Sequence, residues 1–158
     1  MGISVSDFKH VMRQWATGIT VVTMRHGDNI HGLTISGFVG VSLEPPLALI
    51  SIGQELKSHQ ILPEGRCFAI NFLRDDQREL SDRFAGRQGD VNRFAGLATR
   101  VAVTGAPILE DCLGWMDCRL TSSTPAGDHC LYIGEVVASG ANEGKPLLYW
   151  AGDYRQLP

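Results

Sequence analysis

Three short clusters carry residue types that could do chemistry. Gly127-Asp128-His129 falls between two β-like runs. The glycine suits a turn, and a carboxylate stands beside an imidazole whose ordinary pKa lies near physiological pH. Such a histidine can supply a proton, position a reactant, or simply hydrogen-bond to Asp128 as a turn residue. Lys57-Ser58-His59 follows Ser51-Ile52-Gly53 at the start of a short helical pattern. A cation beside the free N–H groups of a helix N-terminus suits a phosphate, and the same residues also read as a solvated loop and cap. The third cluster, Thr34-Ile35-Ser36, lies inside the stretch from Gly32 to Leu47. There Gly32, Gly37 and Gly40 stand among small hydroxyl residues, where a strand normally wants bulk. That composition leaves backbone open to something flat and polar, or merely gives a strand with two solvent-facing hydroxyls. Pro45-Pro46 ends the stretch, because two backbone donors are lost. Together the clusters point to a cofactor site on a barrel.

The elements that must position them are short. Ser6 to Ala16 reads as an opening helix with Ser6 as N-cap and Asp7 in its first turn, stopped by Gly18. Its Phe8, Val11, Met12 and Trp15 form one apolar face, expected to pack in the core or against a second copy. Ile19–Arg25 and a strand from Ile30 make a hairpin about His26–Asn29, and Leu47–Ile52 has the length of a buried strand. Leu56–Leu62 is expected as a helix ended by Pro63-Glu64-Gly65, then Cys67–Leu73 as a strand. Asp75–Phe84 reads as a helix capped by Asp75 or Asp76 and stopped by Gly86, with a polar loop over 87–96. Further strands are expected around Arg100–Thr104, Gly114–Ser123, Cys130–Ser139 and Leu147–Tyr149, with a glycine-rich turn at Gly140–Lys145. Many short strands without βαβ alternation predict a mainly β, antiparallel, Greek-key-like barrel with a few short helices.

Composition narrows the function classes. The 158 residues suggest one domain, and 44% hydrophobic content is that of a globular chain. With a net charge of −3 and no basic tract, a nucleic-acid surface is not expected. No apolar run is long enough for a membrane span, and Met1–Asp7 lacks the segments of a secretory signal, so a cytoplasmic location is expected. Cys67, Cys112, Cys118 and Cys130 form no C-x-x-C pair, which suggests buried, reduced thiols rather than disulfides. His10, His26 and His31 have no metal-ligand spacing, so no metal is expected. No P-loop or G-x-G-x-x-G opens a helix.

The chain resembles the flavin reductase-like family, the small reductase components of two-component flavin-dependent monooxygenases. The resemblance runs through Trp15–Thr23, Gly32–Phe38, Val41–Leu47, Phe68–Leu73, Arg83–Gly86, Ala126–His129, Ile133–Val136, Pro146–Trp150 and Gly152–Arg155. It implies an FMN-binding split barrel, a homodimer, and hydride transfer from NADH or NADPH to FMN or FAD. Reduced flavin would then pass to a separate monooxygenase. An electron-carrying barrel with tightly held FMN and no nicotinamide turnover is the alternative. By the same resemblance Thr34, Ile35 and Ser36 lie along the isoalloxazine ring. Ser51, Ile52, Gly53, Lys57, Ser58 and His59 surround the ribityl phosphate, and Arg83 and Phe84 stand near the flavin. His129 lies where the nicotinamide docks, Asp128 orients it or caps the turn, and Tyr154 and Arg155 lie over cofactor or substrate. The family often has two hydroxyl residues where this chain has Ser36 and then Gly37.

Overall fold

A computed structural model describes residues 2–158. The chain runs α1 (Val5–Met12), β1 (Thr17–Gly18), β2 (Thr20–His26), β3 (Asn29–Ile35), β4 (Phe38–Leu43), β5 (Pro46–Gly53), α2 (Ser58–Gly65), β6 (Cys67–Phe72), α3 (Arg78–Phe84), β7 (Thr99–Arg100), β8 (Ile108–Leu109), β9 (Gly114–Ala126), β10 (His129–Ala141), β11 (Leu148–Trp150) and β12 (Asp153–Arg155). Seven strands form one antiparallel sheet in the order β3-β2-β6-β9-β10-β5-β4. Its edge strands β3 and β4 are joined by Ser36-Gly37 alone. From Ile35 to Phe38 the backbone reaches about 10 Å at most. The sheet therefore curls until its two edges meet at that seam. Connectivity closes the curl there, and among the described residues no ladder joins β3 to β4. This is the mainly β, antiparallel architecture that the short strands predict, and it is split-barrel-like, as the family resemblance implies.

Alternation along the strands fills two cores. Val22 and Met24 of β2, Leu33 of β3, Ile50 and Ile52 of β5, Phe68 and Ile70 of β6, Cys118 of β9 and Tyr132 of β10 form the first. Residues from both halves of the sheet share it, so it fills the inside of the curl. Alternate residues face outward. Val21, Cys67 and Ala69 pack there with Phe84 of α3, Ile108, Leu109, Trp115 and Leu147. Three buried polar side chains tie the 103–109 segment to this outer face. Asp117 accepts from Val103 N at 2.8 Å and Thr104 N at 2.9 Å. Asn71 Oδ1 accepts from Leu109 N at 2.8 Å, and Thr23 Oγ1 donates to Pro107 O. These bonds satisfy groups that burial would otherwise penalise.

Several boundaries differ from the expected ones. Helix α1 starts at Val5, capped by Ser4 whose hydroxyl accepts from Asp7 N at 3.0 Å, and it ends at Met12. None of its residues is buried; Phe8 is 55% exposed, and Trp15, just past the helix, is 69% exposed. Its apolar face is thus not part of this chain's core. Helix α2 continues through Pro63 to Gly65. There the absence of a side chain lets it press on β2, since a Cβ would stand 1.9 Å from Arg25 O. Helix α3 begins at Arg78, not Asp75, because Asp76 is engaged by Arg74 at 3.1 Å and Gln77 takes the cap position. The Arg100–Thr104 strand shrinks to Thr99–Arg100, and Asp117 takes the amides of Val103 and Thr104. Strands β9 and β10 are longer than expected, at 13 residues each. Pro46 opens β5 rather than ending a strand, and Asp153–Arg155 adds a strand not foreseen. Among the described residues no helix is long and apolar enough to cross a membrane.

Candidate active site

The seam where β3 meets β4 gathers most of the expected residues. Thr20 Oγ1 donates to Ile35 O at 3.0 Å, and Phe38 N donates to Ser36 O at 2.9 Å. Ser51 N donates to Gly37 O at 2.9 Å, so the end of β5 lies against the seam. A Cβ on Gly37 would come within 3.3 Å of Ser51 Cβ. The missing second hydroxyl at Gly37 thus has a local reason, a close approach between neighbouring strands. Ser36 is exposed and lines two clefts of about 340 Å³ each, one shared with Met12, Trp15 and Trp150 and the other with Trp15 and Phe38.

The β9–β10 hairpin lies alongside the end of β5. A two-residue turn, Gly127-Asp128, needs the positive φ of +64° that Gly127 supplies. It delivers His129 directly opposite Gly53. Asp128 Oδ1 accepts from the His129 ring at Nδ1, 2.7 Å away. That bond holds the Asp128 carboxyl below the usual carboxylate range. With Nδ1 bonded to Asp128, Nε2 is the ring nitrogen left for another partner. Both side chains are exposed.

The start of α2 has the marks of an anion site. Its cap residue, Lys57, makes no side-chain cap bond. Ser58, fully buried at the first helical position, has a hydroxyl oxygen without any hydrogen-bond partner. An orphaned buried hydroxyl is costly unless a ligand completes it. Lys57 and Arg93 bring positive charge to His31, while the Glu55 carboxylate lies against Gly53. Burial, then Arg93, then Lys57 lower the His31 imidazole to about 4. Arg93 is anchored by donating to Gly32 O at 2.8 Å and Phe84 O at 3.1 Å. His31 and Arg93 were not foreseen from the sequence. Their only trace there is a histidine before a glycine and an arginine in a loop without periodicity.

Other expected residues have structural partners. Ile52 and Phe84 are each 1% exposed, one inside the curl and one under Gly32, so neither offers surface to a ligand. Gly32 is small because the Phe84 ring lies there, 2.6 Å from where a Cβ would be. This corrects the reading of Gly32 as backbone left open for a ligand. Thr34 Oγ1 donates to Ser81 O at 2.7 Å, and Arg83 to Ala95 O at 3.1 Å. The His59 ring is bonded through Nδ1 to the buried Tyr132 hydroxyl. The Tyr154 hydroxyl meets Ser81 Oγ at 2.8 Å and Asp82 Oδ1 at 2.7 Å, with the Arg78 guanidinium 4.9 Å from its ring centroid. Arg155 is paired with Asp153 at 3.2 Å. Thr34, Arg83, Phe84, Tyr154 and Arg155 thus brace α3 and the chain end, while His59 ties α2 to β10.

Comparison with known proteins fits this arrangement. A profile of the Flavin reductase like domain matches residues 12–158. The chain belongs to that family. It is 36% identical over 155 residues to the reductase subunit of a flavin-dependent monooxygenase from Mycobacterium tuberculosis, covering 96% of this chain and 82% of that one. The reductase component of 4-hydroxyphenylacetate 3-monooxygenase from Thermus thermophilus is 35% identical, with 95% of each covered. Among solved structures, the flavin reductase PheA2 superposes with a TM-score of 0.92 at 35% identity, covering 99% of both chains. A Streptomyces globisporus NADH:FAD oxidoreductase, solved with NAD and FAD fragments, gives a TM-score of 0.90 at 28% identity over 100% of this chain and 97% of that one. In this flavin reductase-like chain, then, the end of β5 touches both the seam, through Ser51 and Gly37, and the β9–β10 turn, through Gly53 and His129, and it leads into the start of α2.

Proposed function

We propose that the protein is an NADH:flavin oxidoreductase that reduces FMN or FAD and supplies the reduced flavin to a separate monooxygenase. The observation that carries this reading is the juxtaposition of His129, held by Asp128, with the end of β5 beside an uncapped, positively flanked helix start. Relatives named as an NADH-dependent flavin reductase, from Rhodococcus, and as an NADH:FMN oxidoreductase support NADH as donor. NADPH is the second donor to test.

The residues present fit a flavin. The orphaned Ser58 hydroxyl, Lys57, His31 and Arg93 suit its phosphate. Ser36, Ser51 and the main chain at Gly37 and Gly53 suit the polar edge of the ring, since small groups donate hydrogen bonds without filling its space. A bound flavin supplies the hydride acceptor. The work of the chain is to hold donor and acceptor in contact, and His129 and Asp128 do this for the nicotinamide. His59, tied to Tyr132, fixes the first turn of α2 against β10.

Dimerisation fits the same site. Phe8, Val11, Met12 and Trp15 form an apolar face that this chain leaves uncovered, and Met12 and Trp15 line a cleft with Ser36. A second copy on that face would wall the seam. All four cysteines are free and buried, and burial pushes the Cys118 thiol up to about 12. Such inert thiols suit a reducing cytoplasm.

NADH oxidation, followed by its own absorbance, is expected to depend on added FMN or FAD with half-saturation in the micromolar range, roughly 8 kcal/mol of binding. A rate that ignores added flavin, in protein that stays yellow through dialysis, would favour the electron-carrying barrel instead.

A further inference from the structure

Gln54 carries no part of the chemistry above, yet it takes every main-chain carbonyl of the Gly127-Asp128-His129 turn. Its N–H donates to Asp128 O at 3.0 Å. Its side-chain amide donates to His129 O at 2.9 Å and to Gly127 O at 3.3 Å. Two carbonyl acceptors facing one amide fix which end is the NH2 group. The β5–β10 ladder ends at the His129–Gly53 pair, and Gln54 is the next residue along. It therefore extends the hold of β5 on the hairpin one step past the ladder. Gln54 is exposed, so burial of its side chain contributes little and its hydrogen bonds are its distinguishing contacts.

We infer that Gln54 is a positioning residue, which sets the height of the His129 ring over the end of β5 and so the place of the nicotinamide. This rests on the reductase reading. Without the side-chain bonds, the turn pivots about Gly127 and Gly53, and His129 loses its fixed relation to the seam. A small misplacement of a positioning group is enough to slow a hydride transfer that depends on close contact.

Gln54→Glu keeps the shape and replaces the donor by a carboxylate facing two carbonyl oxygens. Hydrogen exchange of the amides at 127–130, measured without cofactors, is expected to speed up about tenfold in this variant, since local opening sets that rate. In steady state kcat/KM for NADH is expected to fall about tenfold, with flavin affinity unchanged. In a His129→Ala background, Gln54→Glu is expected to add no further loss, because it acts through His129. Unchanged exchange, unchanged kcat/KM, or a full additional loss on His129→Ala would each overturn the proposal. If the unmodified protein oxidises no NADH with any flavin, the reductase reading falls and the role in hydride transfer with it. The exchange result then still shows whether Gln54 clamps the turn.

Discussion

The curled sheet and the α1 face are both rich in apolar residues, yet only one of them is finished. Inside the curl, Val22, Ile50, Phe68 and Ile70 are fully buried, and the outer face is completed by α3 and the 103–109 segment. On α1, Phe8, Val11 and Met12 point to solvent, followed by Trp15 and, at the far edge, Val39, Val41 and Leu43 of β4. Apolar periodicity is therefore a statement about what a segment must cover, not about whether its own chain covers it. Phe8, Val11, Met12 and Trp15 belong to neither core, whereas the candidate site borders on them at Ser36.

The sharpest way to break this contrast is inside the finished region. Asp117→Ala removes a buried carboxyl that accepts from the Val103 and Thr104 amides and is expected to cost about 3 kcal/mol of stability, read from the urea midpoint. A change below about 1 kcal/mol would mean that the 103–109 segment is not part of the core. On the other region, Trp15→Ser is expected to leave the fold intact while weakening self-association by about 2 kcal/mol, or roughly thirtyfold. Sedimentation at several concentrations checks this, and an unchanged mass distribution would leave the α1 face without its second copy. Between the regions, His129→Ala is expected to preserve flavin binding and slow reduction by NADH about tenfold, or about 1.4 kcal/mol in the barrier. Equal rates in pre-steady-state mixing would remove His129 from the mechanism.

The smallest expected effect is a pH dependence. His31 has a folded-state pKa of about 4, below its unfolded value of 6.5. The unfolded chain therefore binds more protons between these values, and stability falls as pH drops through that window while staying flat above it. With partial solvent screening the effect is about 1 kcal/mol, and His31→Gln should flatten it. A bound phosphate nearby would favour the imidazolium, so flavin affinity should rise as pH falls through the same window. Flavin titrations at several pH values, with His31→Gln as control, check the sign.

Much of the fold could be read from residues because local chemistry and packing agree. Gly27-Asp28 and Gly127-Asp128 mark turns, and the β-branched run of β2 is buried on both faces. The outer half of the β9–β10 hairpin, exposed from Thr121 to His129, lacks the alternation that would have shown its full length. The cap of α3 was misplaced because Asp75 and Asp76 look like caps, whereas Asp76 pairs with Arg74, whose guanidinium is also held by Asp111 from 37 residues away. At the site, His129 and Asp128 stand in the turn that their tripeptide announces. Phe84 and Ile52 are packing residues, since an apolar residue in a motif reads alike whether it touches a ligand or a core. Gln54, His31 and Arg93 were silent because their roles come from tertiary neighbours on other strands and loops.

The most direct test of the central claim is anaerobic. Protein is mixed with excess FMN or FAD and with NADH, and the visible absorbance of oxidised flavin is followed. The reductase account expects many equivalents of free flavin bleached per protein chain, with loss of rate in His129→Ala. Bleaching of a single equivalent, or none with either flavin, would contradict it.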